Sequence, residues 1–263
     1  MKKLNLADMQ AVEINILKYI EKVSIRENIP YYLGFGSLLG AIRHQGFIPW
    51  DDDMDILVPR KYYEDFLQVL QDDPKYQVIS MYNTKEYVNP WAKVIDKTTI
   101  LLEREEKNVD GMGVFVDVFP LDNLPCKKFP QKVFFMRVRI FKWIRYFANK
   151  SKKEYEKAGI LEKIKIRVAQ LYGCKKALLQ IDNMCKARKK DDSEFVGVPV
   201  VGTKSYIFHR EDFLLKKYVA FSQERFPIPK GATNILKATY GDYMKMPPES
   251  ERVIKHNFDA YYK

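Results

Sequence analysis

The sequence predicts an α+β fold, a sheet with flanking helices and a basic helical subdomain, on three observations. An apolar run over residues 31–35 ends in Gly36-Ser37 and passes through a helix-compatible segment, 38–43, into an acidic stretch whose neighbours, Ile48, Trp50 and Ile56 to Val58, are apolar. Strand-like segments with turn residues between them then recur up to Asp122. Residues 129–190 carry helical spacing and the basic excess. With 263 residues, 46% of them apolar and 14% aromatic, the chain can bury a sizeable core and does not have the composition of a disordered one.

Taken in order, Leu6, Met9, Val12, Ile16, Ile20 and Val23 fall at helical spacing and end before Pro30. They predict an amphipathic helix over 6–28 packed on the sheet. Residues 61–71 read as a helix that starts just beyond Pro59 and stops at Asp72-Asp73-Pro74. Residues 77–82, 91–96 and 98–103 read as strands. Residues 111–122 form a further strand, apolar on both faces except at Asp117. Helices over 160–172 and 174–188 are separated by breaks at Gly159 and Gly173, and a short strand is expected at 196–201. A helix over 231–240 ends at Gly241, and residues 242–248 and 251–256 complete the fold. The expected division is a core of 1–125 and 196–263, with 126–195 as a basic helical insertion.

The acidic stretch carries the chemistry. If it is extended, Asp51, Asp53 and Asp55 share one face, and Asp52 and Met54 take the other. Three carboxylates on one edge repel one another, and a hard divalent cation such as Mg²⁺ turns that cost into a gain. Gly36 allows backbone to approach a ligand, and Ser37 at a helix start offers a hydroxyl and free N–H groups to a phosphate. Asp117 is costly to bury unless it meets a metal or hydrogen bonds from the backbone. A phosphate cradle followed by carboxylates points to phosphoryl-group chemistry.

The string GSLLGAIRHQGFIPWDDDMDI resembles the LicD family of phosphotransferases, to which fukutin and fukutin-related protein are related. The resemblance extends to Trp91, Ala92, Lys93 and Thr98 and to a tail, YGDYMKMPPESERVIKH, at 240–256. It is poorest across the basic segment. It implies a nucleotidyltransferase-like mixed sheet in which Asp53 and Asp55 hold Mg²⁺ or Mn²⁺. Asp51 would be a further ligand or an outer partner. Asp117 would complete the metal site and accept the proton of the acceptor hydroxyl, whereas Asp122, beyond Pro120, reads as a turn residue. Gly36 and Ser37 would hold a donor phosphate. Arg43, and less directly His44 and Lys93, would supply positive charge, and His44 and His256 also fit structural roles. The implied reaction moves a phospho-alcohol, commonly phosphocholine, from a CDP-activated donor to a sugar hydroxyl of a surface glycan such as a lipopolysaccharide or teichoic acid precursor, releasing CMP. Ribitol and glycerol phosphates stay open as alternatives. A choline group would call for an aromatic cage that the sequence does not locate.

The net charge is +11, and residues 126–190 alone carry +16, with 20 Lys/Arg against Glu154, Glu156, Glu162 and Asp182. Such an excess asks for an anionic partner or an explanation in solubility, and part of the apolar excess beside it also fits a face turned to the core. Residues 133–147 interleave bulky apolar side chains with Arg137, Arg139, Lys142 and Arg145, which predicts docking on an anionic membrane surface that presents a lipid-linked glycan acceptor. No apolar run approaches a membrane span, and an N-terminal stretch with Asp8 and Glu13 inside its apolar part does not read as a signal peptide. Three widely spaced cysteines read as reduced thiols. The expectation is a cytoplasmic protein, peripheral on the inner face of the membrane. Two other classes fit parts of the sequence. A nucleotidyltransferase moving NMP would share the Gly-Ser and Asp-x-Asp pattern. A nucleic-acid binder fits a pI of about 9.3 but leaves the four aspartates unexplained, so nucleic acid is not an expected partner.

Overall fold

The computed structural model describes residues 1–71, 73–104, 109–188, 193–201, 206–254 and 257–263. Strand β1 (Lys2–Lys3) leads into α1 (Leu6–Glu27). A reciprocal cap fixes the start of that helix: the Asn5 side chain accepts the Asp8 amide and Asp8 accepts the Asn5 amide. Asn28, in the left-handed conformation at φ 51°, closes it. Then come β2 (Tyr32–Leu33), α2 (Phe35–Arg43), β3 (Asp55–Pro59), α3 (Arg60–Val69), β4 (Tyr76–Ile79), β5 (Ala92–Asp96), β6 (Thr99–Glu103) and β7 (Phe115–Asn123). The basic segment folds as α4 (Lys128–Ala148), α5 (Lys152–Lys157), α6 (Ile160–Tyr172) and α7 (Cys174–Lys186). Strands β8 (Phe195–Gly197), β9 (Ile207–His209), β10 (Lys216–Phe221) and β11 (Glu224–Pro229), helix α8 (Ala232–Tyr240) and strand β12 (Phe258–Tyr262) complete the chain.

Among the described residues the main sheet runs β2-β3-β7-β5-β4, with β8 on β7 and β9 on β8. The β3–β7 pair is parallel and its neighbours are antiparallel, so the sheet is mixed. Strand β7 lies between β3 and β5 and is buried along both faces, which is why it reads as an almost unbroken apolar run. The predicted stripe of α1 (Met9, Val12, Ile16, Ile20 and Val23) is buried against β5 and β7. A second sheet, β1-β12-β6, and the β10–β11 hairpin lie outside this path.

The α+β architecture agrees with the sequence. Several local readings do not. Residues 51–54 lie outside the ladder, and β3 begins only at Asp55. The basic segment contains an additional helix, α5, opened by a Ser151–Glu154 capping box. Strand β12, unread in the sequence, pairs with both β1 and β6.

Asp122 is not a turn residue but a fully buried member of β7, ion-paired with Arg60 at 2.5 Å. Arg60 also holds Asp182 of α7 at 2.9 Å and Glu64 at 3.1 Å, and the Tyr82 hydroxyl donates to Asp182. One buried guanidinium thus fastens α3, β7 and α7 together. Phe134 and Val138 of α4 and Ile181 and Cys185 of α7 belong to the same core as the sheet.

Two of the cations expected to face a membrane are used otherwise. Lys142 donates to the Val201 carbonyl at 2.9 Å, and Arg145 donates to the Val88 carbonyl at 2.8 Å and to Asn89 Oδ1 at 3.1 Å. No helix among the described residues is long and apolar enough to cross a membrane.

Candidate active site

The site forms where the two parallel strands begin side by side. Asp55 and Asp117 are register partners of β3 and β7. Two contacts fix the start of β3: Ser37 Oγ accepts the Asp55 amide at 2.8 Å, and the Gly34 amide donates to the Asp55 carbonyl at 2.9 Å. Gln10 of α1 donates its side-chain amide to the Asp51 carbonyl at 2.9 Å, which anchors the acidic loop. Although residues 51–54 have no ladder, their side chains still alternate. Asp52 and Met54 are buried, whereas Asp51 and Asp53 join Asp55 along a cleft of about 890 Å³.

Carboxylate oxygens of Asp53, Asp55 and Asp117 all lie within 4.8 Å of one another, as do those of Asp51, Asp52 and Asp53. Burial first, and then the charges of Asp53, Asp117 and Asp51, push the Asp55 carboxyl well above the usual range, with Lys93 opposing. Burial and mutual repulsion thus both work against the charge on Asp55. An all-oxygen donor set under such mutual repulsion fits a hard divalent cation, with Asp53, Asp55 and Asp117 as the group that could hold it.

Asp117 Oδ1 accepts from Lys93 Nζ and from Trp91 Nε1, each at 2.8 Å. The Lys93 ammonium also lies 3.1 Å from the centre of the Phe115 ring. Lys93 is therefore the buried partner of Asp117 rather than a charge projecting into the cleft. Gly36 lines the cleft, and a Cβ there would come within 2.7 Å of Asp51 Oδ2, so any larger residue would push that carboxylate aside.

Ser37 differs from its expected role. It is the third residue of α2, buried, and its oxygen faces the Asp55 amide; it is not among the cleft-lining residues. Arg43 does line the cleft, and its Nη1 donates to the carbonyls of Tyr243 at 3.0 Å and Lys245 at 3.4 Å, drawing the 240–248 tail over the site. His44 does not line the cleft but touches two residues that do: Arg43, whose Nε donates to His44 Nε2 at 2.9 Å, and Trp50, to which it stands edge-on. Burial and the neighbouring Arg43 charge lower its pKa, consistent with a neutral acceptor. His256 lies outside the described residues.

Further residues belong to the site. Glu13 of α1 is buried, its Oε2 has no hydrogen-bond partner among the described residues, and burial followed by Asp53, Asp52, Asp51 and Asp117 pushes its carboxyl well up. Its sequence signal was an acid on the apolar stripe, four residues after Met9 and three before Ile16. Trp91 orients Asp117. Tyr240 lines the cleft, and burial followed by the field of Asp55 raises its phenol, so the hydroxyl keeps its proton. Phe35, Trp50 and Tyr243 add aromatic wall, and Phe35 sits at φ 39°, a strained conformation held by edge contacts to Phe119 and Tyr206.

Comparison with known proteins shows the family. The family described as LicD/FKTN/FKRP, nucleotidyltransferase domain, matches residues 28–157. The lipopolysaccharide cholinephosphotransferase LicD of Haemophilus influenzae is 30% identical over 99% of both chains. This chain belongs to the LicD family. Uncharacterised proteins from Rickettsia typhi and Rickettsia prowazekii are 29% and 32% identical over 46% and 41% of this chain, and over 38% and 39% of their own. The LicD-family match contains Gly36, Ser37, Asp51, Asp53, Asp55, Lys93 and Asp117. The tail residues Tyr240 and Tyr243 fall beyond it but within the full-length likeness to the Haemophilus protein.

Proposed function

We propose that this LicD-family chain transfers phosphocholine from CDP-choline to a sugar hydroxyl of a glycan, releasing CMP. The observation that carries the reading is the carboxylate cluster of Asp53, Asp55 and Asp117, whose first two members line a cleft walled by Phe35, Trp50, Tyr240 and Tyr243. Carboxylates suit the metal and pyrophosphate end of such a donor, and aromatic faces suit a trimethylammonium group. The name of the Haemophilus relative, a lipopolysaccharide cholinephosphotransferase, supports the same substrate pair.

Mg²⁺ or Mn²⁺ on Asp53, Asp55 and Asp117, with Asp51 beside it, would neutralise the donor pyrophosphate and the charge that develops on leaving CMP. The acceptor oxygen bonds to the choline-bearing phosphorus as the bond from that phosphorus to the CMP oxygen breaks, and Asp117 takes the acceptor proton. Lys93 and Trp91 hold the Asp117 carboxylate in place for this step. Tyr240 offers its retained proton to a phosphate oxygen, and Arg43 and Lys245 bring positive charge to the cleft. Gly36 keeps backbone close enough to cradle a phosphate. The acceptor is a lipid-linked glycan precursor.

A donor panel tests this. With divalent metal and glycan precursor, CMP release is expected from CDP-choline in preference to CDP-ribitol and CDP-glycerol, and chelation stops it. Pyrophosphate release from CTP, with no CMP from CDP-choline, would instead make the chain an NMP-transferring enzyme.

A further inference from the structure

We infer that α6 is a docking face for an anionic lipid bilayer. Ile160, Leu161, Ile164, Val168 and Leu171 are each between 56% and 86% exposed, an unusual concentration on a helix of 13 residues. At about 3.6 residues per turn they fall within an arc of about 100°. The opposite side of α6 already does the structural work, with Ile166 and Ala169 buried and the helix packed on α4 and α7. The exposed stripe is therefore surplus to the fold.

The charges select the occupant. Lys165 and Arg167 border the apolar arc on its two edges, and Glu162, the one acid in the helix sequence, projects from the far side. An apolar strip edged by cations suits headgroups of negative charge with acyl chains beneath them. A second copy of the same face would bring the two cationic edges against each other, which disfavours self-association. The +16 carried by residues 126–190 extends this attraction beyond α6.

The test is cosedimentation of the purified full-length chain with vesicles, a binding measurement made without turnover and so independent of the proposed reaction. Vesicles of phosphatidylglycerol and phosphatidylethanolamine should carry the protein down, vesicles of phosphatidylcholine alone should carry far less, and added salt should release it. The triple variant Ile164→Gln, Val168→Gln, Leu171→Gln should lose about tenfold in binding with an unchanged melting temperature, because these side chains are already in water. Lys165→Gln with Arg167→Gln should reduce the preference for the anionic vesicles. The inference fails if the protein stays in the supernatant at low salt or if the triple variant binds as the wild type does. It also fails if that variant merely converts a dimer to a monomer in sedimentation equilibrium with no vesicle binding by either form.

Discussion

Asp55 and Asp117 stand opposite each other in the parallel β3–β7 pair, so two acids 62 residues apart in sequence meet in one carboxylate cluster, which Asp55 joins to the cleft. Replacing either by Asn keeps the shape and removes a charge. Asp55→Asn and Asp117→Asn are each expected to lower turnover by about a hundredfold or more, the scale of several kcal/mol of lost transition-state stabilisation. Asp55→Asn should at the same time melt no lower than the wild type without metal, since it relieves repulsion. Steady-state kinetics with CDP-choline, beside thermal melts in chelator, read both effects.

Ser37→Ala separates positioning from phosphate contact. The Asp55 amide loses its acceptor in a buried place, and the expected cost is about 1–3 kcal/mol in urea unfolding, with kcat falling more than donor KM rises. Unchanged stability with a raised donor KM would return Ser37 to the phosphate.

Much of this site was legible before any fold was known. The alternation of Asp51, Asp53 and Asp55 against Asp52 and Met54 survives even though β3 starts late, because the apolar residues on either side anchor the stretch in the core. Asp117 was visible as the polar exception in a strand apolar on both faces. What the sequence hid are partners far along the chain. Asp122 looks like a turn beside Pro120 until Arg60 is brought to it, and Lys93 looks like a free cation until Asp117 lies beside it. Strand β12 was missed because its polar and aromatic residues make sense only between β1 and β6.

Glu13→Gln tests the buried acid beneath the cluster. The folded carboxyl binds its proton more tightly than the unfolded one, so its stabilising contribution is fully present below the unfolded value and is lost as pH rises through the folded one. Gln carries no such loss. In metal-free protein the variant should melt with the wild type near about pH 4 and above it near about pH 7, a gap that widens with pH. A constant difference across this range would mean that Glu13 is ionised in the fold.

Arg60→Leu should be among the most damaging substitutions outside the site. It strands the carboxylate of Asp122 in the interior and leaves Asp182 to Lys186 and Tyr82, and breaking a buried pair from one side costs about 3–5 kcal/mol. Urea unfolding measures the cost. A loss below about 1 kcal/mol would mean that water reaches these groups.

The central claim, phosphocholine transfer at the Asp53–Asp55–Asp117 cluster, is met most directly by a stoichiometry: CMP formed per choline incorporated into purified glycan precursor, with divalent metal, for the wild type and Asp55→Asn. The expected result is one CMP per choline for the wild type and loss of both products together in the variant. Nucleotide attached to the acceptor while phosphocholine is released, or an Asp55→Asn enzyme as active as the wild type, would contradict it.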